Sequence, residues 1–380
     1  MKEPRDQIAS CQADDIDRTG SRVVWRTRHP SLMSVPGRNG PFSTTRPALS
    51  ATTIIGQASM PSLIWAASKK TGEVMWSHRF RHVTELVQAH DRVYAYVEER
   101  IVCLDASNGD MFWETPWWRS TGGGIDGGQR IVRRPTVAEE RIVWPGAGGV
   151  VTCADAHSGA LKWTVKRRGT ATSPLVIKEN KVIGIETPGL LFGLDISDGR
   201  PIWQCAVPGN PMYRGLAVGL GGVLVRLDDA ILLLRAEDGA IETRWSWPGK
   251  LTGHIAVGTA MAFAIRSEPE DNIFNGRHGV IPNDSHILRL HRDGSVLWDL
   301  PSSVRRPRIA WDEQSGFLFE ACDGVGVIDP TTGRRKHLIA IPDAAFYESP
   351  VIDGDHIYVV SFDGELVCLR SPVADDDRAS

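Results

Sequence analysis

The sequence predicts an all-β protein, an eight-bladed β-propeller, and three observations lead to this prediction. A short phrase that ends in Trp, with Gly four positions earlier, recurs along most of the chain. Each copy follows short alternating or β-branched runs separated by turn residues, whereas helical periodicity is almost absent. Finally, the chain begins with the end of a repeat and finishes with a repeat that lacks its end.

The recurring phrase sets the period of the repeat. The spacing ranges from 37 residues between Trp76 and Trp113 to 53 residues between Trp245 and Trp298. A period of this length is typical of arrays and rings of repeated units. The copies are KTGEVMW (70–76), SNGDMFW (107–113), HSGALKW (157–163), SDGRPIW (197–203) and RDGSVLW (292–298).

Within one unit the pattern indicates four short strands. In residues 135–163 the runs PTVAEE, RIVWPGAG, GVVTCAD and ALKW are divided by Gly and polar turn residues. Four antiparallel strands per unit form one blade of a propeller.

The two ends of the chain predict how the ring closes. Residues 349–370 supply three strands and then stop, and RTGSRVVW (18–25) supplies the missing fourth strand. Pairing 21–27 with 365–370 removes two exposed sheet edges. Eight blades follow, with seven as the alternative because the sixth and seventh units are degenerate. We therefore expect one domain over 18–370, a flexible segment at 1–17 and a disordered acidic tail at 371–380.

Composition excludes several classes of protein. The formal net charge of −3 gives no general attraction to nucleic acid. No run approaches the ~18 apolar residues of a membrane helix. The start lacks the apolar core of a secretory signal, which favours a cytoplasmic location, or a periplasmic one if the true start lies upstream. IASC (8–11) resembles a lipoprotein cleavage box, but no apolar run precedes it.

The cysteines favour a reducing compartment. Six are present, with no adjacent pair and no pair at Cys-x-x-Cys spacing. Cys103, Cys153 and Cys368 recur at one apolar strand position, so we expect them to be buried and free of disulfides.

At this point the repeat resembles a known family. CLDASNGDMFW, CADAHSGALKW and GLDISDGRPIW resemble the repeat of quinoprotein-type, or PQQ-like, propellers, and the resemblance covers about 18–370. It implies that each outer-strand Trp docks on the next blade and that an Asp and a Thr-Gly pair shape the turn between strands three and four. The matching tryptophans are Trp25, Trp76, Trp113, Trp163, Trp203 and Trp298. Departures are His337 at the Trp place and Trp245, which is shifted by one or two residues.

The family contains two branches with different functions. Its enzymes hold a quinone and Ca²⁺ above the channel, and many carry adjacent cysteines or a Cys-x-x-Cys-His haem site. Neither motif occurs here. The other branch comprises non-catalytic bacterial scaffolds, among them an eight-bladed one of outer-membrane assembly that has about this length. We therefore expect a binding scaffold rather than an enzyme, with no PQQ and no metal. The alternative is an enzyme or sensor that holds an anionic small molecule, such as a quinone, over the channel.

Long connections indicate the binding face. The segments 28–46 and 114–133 join blades, and 267–285 lies between strands two and three of blade six, so all three emerge on the same side of a propeller. We call this side the long-loop face. The alternative is that these segments are tolerated insertions without function.

A second pattern places charge on the same face. The residue at the start of each inner strand reads, from blade one to blade eight, Arg46, Glu85, Arg134, Ser173, Arg214, Thr252, Arg306 and Ser349. Arginine in every odd blade predicts four guanidinium groups around the channel mouth, where they favour an acidic partner. Aromatic contacts come from Trp117, Trp118, Tyr213 and Tyr347. The alternative is that the arginines splay into solvent and pair with Glu85 and Glu348.

The sequence thus predicts a monomeric propeller that binds a protein or an acidic small molecule through its long-loop face.

Overall fold

The structure, a computed structural model, describes most of the chain from Arg22 to Val373. The described residues are 22–32, 46–59, 62–98, 100–115, 134–169, 171, 173–209, 211–247, 250–267, 285–302, 307–321, 324–341, 348–361 and 364–373. The predicted segments 1–17 and most of 371–380 lie outside this range.

In the described part of the chain, the 32 strands form eight four-stranded antiparallel sheets arranged as eight blades. This confirms the predicted all-β, eight-bladed propeller over the seven-bladed alternative. Seven blades use four consecutive strands each, whereas one sheet has the order β1-β32-β31-β30. No helix in the described residues has the length and apolarity needed to span a bilayer.

The strand bounds follow the repeat. The closing strand is β1, Val23–Thr27. Blade one contains β2 Ala48–Leu49, β3 Thr53–Ser59, β4 Ser62–Ser68 and β5 Val74–Arg79. Blade two contains β6 Val83–Ala89, β7 Arg92–Val97, β8 Arg100–Asp105 and β9 Met111–Glu114. Blade three contains β10 Thr136–Ala138, β11 Arg141–Gly146, β12 Val150–Asp155 and β13 Leu161–Lys166. Blade four contains β14 Val176–Lys178, β15 Lys181–Glu186, β16 Leu190–Asp195 and β17 Pro201–Ala206.

The second half of the ring continues in the same order, from inner to outer strand. Blade five contains β18 Pro211–Gly219, β19 Gly222–Leu227, β20 Ala230–Leu234 and β21 Ile241–Ser246. Blade six contains β22 Lys250–Val257, β23 Ala262–Ser267, β24 Ser285–Leu290 and β25 Val296–Pro301. Blade seven contains β26 Arg308–Asp312, β27 Phe317–Ala321, β28 Gly324–Ile328 and β29 Arg335–Ala340. Blade eight contains β30 Val351–Asp353, β31 His356–Val360, β32 Leu366–Arg370 and, from the N-terminal side, β1. Pro30–Leu32 and Ala147–Gly149 form short 3-10 turns.

The ring closes as predicted. β1 pairs antiparallel with β32, with Trp25 opposite Cys368 and Thr27 opposite Leu366. The pair hides the edges that both strands would otherwise expose.

Apolar side chains fill the clefts between adjacent blades. Leu224 and Leu233 of blade five, for example, pack with Leu251, Ala264 and Leu288 of blade six. The core is therefore a series of inter-blade layers, as expected when each sheet is covered by its neighbours on both faces.

The tryptophans dock as the resemblance implies. The indole N–H of Trp163 donates a hydrogen bond to the carbonyl oxygen of Ile196 in the next blade, at 2.8 Å. The turn glycine of that blade, Gly199, has φ +76° and leaves room for the indole, since a Cβ on it would lie 2.7 Å from the Trp163 ring. The same hydrogen bond, to the residue that follows the Asp position, is made by Trp25, Trp76, Trp113, Trp203 and Trp298.

The two departures from the pattern lie in blades five and seven. Thr243 occupies the Trp position in blade five, and Trp245 lies two residues further along β21 yet still donates to the carbonyl oxygen of His291. His337 faces blade eight, whose outer strand β1 comes from the other end of the chain. The Thr-Gly pair that precedes β1 in the sequence, Thr19 and Gly20, lies outside the described residues.

The repeated cysteines occupy the third strand of their blades. Cys103, Cys153 and Cys368 have no exposed surface, and all three are free thiols. Burial raises their pKa values to about 11, 11 and 12, which holds them as unreactive thiols at neutral pH.

Candidate functional site

The eight inner strands surround a central cavity of about 460 Å³. Every blade contributes to its wall, because the cavity follows the inner strands from their first residues towards the hairpins at the other end. Inner strands begin on the face where blades are joined to one another. The long connections 28–46 and 114–133 join blades and 267–285 follows β23, so the cavity opens at the long-loop face.

Four charged residues occur among the described residues that line this cavity, and all four lie at the mouth on the long-loop face. Arg46 and Arg134 precede the inner strands of blades one and three, Glu85 lies early in β6 of blade two, and Glu348 precedes blade eight. Two of the four predicted arginines are thus brought to the same mouth, together with both glutamates.

The two signs of charge are presented differently. Arg46 and Arg134 are exposed, whereas Glu85 and Glu348 are each only 7% exposed. The glutamates therefore lie behind the rim, and a molecule that enters the channel first meets the guanidinium groups.

Electrostatics show that the two arginines are close enough to repel. The walls of the channel desolvate Arg46 and lower its pKa, and the positive charge of Arg134 lowers it further. Attraction by Glu348 offsets part of this effect. The side chain of Arg46 reaches the open lumen, but protein surrounds it on most sides. The loss of water around the guanidinium group therefore lowers its pKa even though the residue is exposed.

Beyond the mouth the free edges of the inner strands face the lumen, since each inner strand is the terminal strand of its sheet. The half-buried residues Val87, Val137, Ile177, Val218 and Val257 lie along these edges. Trp311 is the one aromatic residue among the described residues of the lining. The site is therefore a charged rim above a channel formed by strand edges with aliphatic residues along them.

The other predicted site residues cannot be compared with this geometry. Arg306, Trp117, Trp118 and Tyr347 lie outside the described residues, and so do the side chains of Arg214 and Tyr213. Their roles remain predictions.

Sequence reasoning missed a second pair of arginines. Arg226, near the end of β19 in blade five, is only 6% exposed, and Arg308 is the first residue of β26 in blade seven. Burial and the charge of Arg308 lower the pKa of Arg226 to about 10, and Asp228 partly offsets them. Both strand ends are on the long-loop face. The signal was a lone charge inside the apolar run GVLVRL, which breaks the pattern of a buried strand.

The described residues do not form a site for a quinone with a calcium ion. No group of three or more His, Cys, Asp or Glu within the described part of the chain is arranged to hold a metal. The described lining also contains one aromatic ring, so it does not provide an aromatic side chain on each side of a flat cofactor. We therefore derive no chemistry through such a group.

Comparison with known proteins supports the repeat. Residues 61–217 match a family model, PQQ_2, described as outer membrane protein assembly factor BamB. No curated protein sequence matches the chain.

Solved structures share the fold at low sequence identity. BamB from Moraxella catarrhalis is 14% identical with a TM-score of 0.62, and the match covers 92% of this chain and 99% of that one. Quinohemoprotein alcohol dehydrogenase from Comamonas testosteroni is 12% identical with a TM-score of 0.64, covering 92% of this chain and 76% of that one. Saccharomyces cerevisiae Sqt1 is 8% identical with a TM-score of 0.65, covering 93% and 100%. These likenesses show the fold alone, whereas the match over 61–217 bears on the repeat itself. The chain is an eight-bladed propeller, and its residues 61–217 are similar to the PQQ-like repeats described by the BamB family model.

Proposed function

We propose that this propeller is a non-catalytic binding scaffold that receives an acidic group at the channel mouth on its long-loop face. The observation that carries the proposal is the exposed pair Arg46 and Arg134, which repel each other at the rim of a cavity. An anionic group between two guanidinium groups relieves this repulsion and accepts charge-assisted hydrogen bonds from both.

The burial of the two glutamates also favours an acidic ligand over a basic one at the mouth. Glu348 attracts Arg46, but both Glu85 and Glu348 present little surface to an incoming group. A carboxylate or phosphate that enters the mouth therefore contacts positive charge first.

The comparisons support a scaffold over an enzyme. The family model that matches residues 61–217 is described as an outer membrane protein assembly factor, BamB. The solved structure of BamB from Moraxella catarrhalis is matched over 99% of its length. The dehydrogenase neighbour is covered over 76% of its length, so part of that enzyme has no counterpart in this fold.

The test is calorimetric titration with a hexaglutamate peptide. We expect Arg46→Ala and Arg134→Ala each to weaken binding about tenfold or more, because a charge-assisted hydrogen bond contributes on the order of 1.5–3 kcal/mol. Binding should also weaken steadily as salt is raised.

Arg200→Ala is the matched control. Arg200 has 81% of its side chain exposed and lies in the turn before β17, on the face opposite the mouth. Equal loss in this control, or binding that is unchanged by salt and by both mouth variants, would show that the mouth is not the site.

A further inference from the structure

We propose that His29 forms a pH-sensitive clamp on the strand that closes the ring. The neutral imidazole holds the end of β1 on blade one, and its protonation releases that end. This inference concerns the closure of the ring and is independent of the function proposed for the channel mouth.

The clamp lies directly after the closing strand, two residues past Thr27. His29 is only 7% exposed, and its ring packs against the indole of Trp65 in β4, with the ring centroids 5.9 Å apart. This contact holds the chain that leaves blade eight against blade one. It supports a short strand, because β1 pairs four residues with β32 and has an irregularity between Val23 and Trp25.

Hydrogen bonds determine which protonation state fits the clamp. The backbone N–H of Ser31 donates to Nδ1 of His29 at 3.2 Å, and the guanidinium group of Arg79 donates to the Ser31 hydroxyl at 2.6 Å. A ring nitrogen that accepts a hydrogen bond has to be unprotonated, so His29 fits here as the neutral imidazole with its proton on Nε2. Protonation of Nδ1 sets two N–H groups against each other and breaks the link between Ser31 and His29.

The surroundings of the ring also disfavour its positive charge. Trp65 of β4 is uncharged, and Arg79 of β5 is the charged group, within the described part of the chain, that shifts the pKa of His29. On β1, the charge of Arg26 is paired with Glu365 of β32 at 3.6 Å. An aromatic ring attracts a cation, but burial and, to a smaller extent, the charge of Arg79 lower the pKa of His29 below its ordinary value of 6.5.

Linkage gives the direction of the effect. A released His29 binds a proton more readily than a clamped one, so the clamp is fully stable above about pH 6.5 and weakens as the pH falls below this value. Release takes up one proton, so its equilibrium constant rises by up to about tenfold per pH unit. Loss of the clamp frees the end of β1 and with it the paired edge of β32.

The test is hydrogen exchange of the full chain, read by mass spectrometry from about pH 7.5 to about pH 5, the range in which histidine titrates. We expect protection of peptides that cover 22–32, corrected for the intrinsic effect of pH on exchange, to fall by up to about tenfold per pH unit below about 6.5. Peptides that cover β13 and β17 should keep their protection. An equal loss in all of these peptides, or no loss at 22–32, would overturn the clamp.

His29→Asn separates titration from packing. The amide oxygen of Asn can take the place of Nδ1 and accept the Ser31 N–H, and the amide does not titrate. We expect 22–32 to stay protected across the whole pH range in this variant. The matched control is His157→Gln, which removes an exposed histidine of blade three and should leave the acid effect at 22–32 unchanged. An acid effect that persists in His29→Asn would place the sensitivity elsewhere, as at His337, which faces blade eight.

Arg79→Met is a second variant, which leaves the histidine in place and decides the matter if His29→Asn does not fold. It removes the neighbouring positive charge, so the pKa of His29 should rise towards its ordinary value. The total loss of protection at 22–32 between the two ends of the pH range should then be smaller than in the parent. A loss equal to or larger than that of the parent would contradict the proposal.

Discussion

At the perimeter of the ring, six tryptophans make the same hydrogen bond to the next blade, whereas the described residues at the channel mouth differ from blade to blade and include Arg46, Glu85, Arg134 and Glu348. Both regions are built from the same eight units. The perimeter repeats its residues because every inter-blade cleft must be closed in the same way. The mouth is free of that constraint, so its residues can differ, and the charged groups are found there.

Because of this difference, the residues that stabilise the ring can be distinguished from the residues that bind a ligand. A substitution at a perimeter contact should cost stability and leave binding intact, and a substitution at the mouth should do the reverse. The predictions below test this division, from the largest expected effect to the smallest.

Deletion of residues 1–27 should have the largest effect. It removes β1, exposes the edge of β32 and takes away the contact between Trp25 and Gly72. The expected loss is on the order of the whole stability of a domain, about 5–15 kcal/mol, so we expect insoluble protein or a greatly lowered melting temperature. Soluble yield and calorimetry measure this. Deletion of 1–17 is the control, and a 1–27 deletion that melts like the parent would contradict this mode of closure.

Trp163→Ala should come next, with His337→Ala as its counterpart. Trp163 is 8% exposed, bonded to Ile196 and packed on Gly199, so its removal should cost about 3–5 kcal/mol. His337 has the same place in its strand but a smaller and more polar side chain, so we expect a loss of about 1 kcal/mol. Denaturant unfolding of both variants measures the difference. Equal losses would show that the bulk of the docked indole is not what stabilises the perimeter.

Two glycine substitutions isolate the docking contact from backbone strain. Gly199 has φ +76° and Gly354 has φ +54°, so Ala is strained at both, by roughly 1–2 kcal/mol. A Cβ at Gly199 also lies 2.7 Å from the Trp163 ring, whereas nothing lies within 4 Å of one at Gly354. Gly199→Ala should therefore lose about 1–3 kcal/mol more than Gly354→Ala. Unfolding free energies that agree within error for the two variants would argue against a tight dock.

Most of the perimeter could be predicted from the sequence, because each contact recurs and can be counted. Closure by β1 could be predicted as well, through the incomplete last repeat. The mouth was predicted less fully for a physical reason. The inner strands of blades two, five and six contain register shifts, between Val83 and Leu86, Pro211 and Leu216, and Thr252 and Ala256. A bulge changes which residue faces the axis, and a repeat alignment does not reveal it.

Arg226 illustrates the second limit of the sequence. Its charge within the apolar run GVLVRL marks it as unusual, but the run does not reveal which group lies near it. The positive charge of Arg308 from blade seven, over 80 residues later in the chain, contributes to the lowered pKa of Arg226. Proximity between such distant parts of the chain becomes visible only once the ring is closed.

Arg134→Ala should have the smallest effect on stability and therefore gives the sharpest test of the comparison. Arg134 is exposed at the rim, and its charge repels Arg46. Removing an exposed side chain costs little packing, so we expect an unfolding free energy within about 0.5 kcal/mol of the parent. Any electrostatic part of the change should fade as salt screens the charges. Denaturant unfolding at two salt concentrations measures this, alongside hexaglutamate titration of the same sample, where the predicted loss is about tenfold. A loss of stability above 1 kcal/mol would place Arg134 among the residues that hold the ring together. The mouth would then be a structural junction like the perimeter, and its charge would no longer be evidence for a ligand.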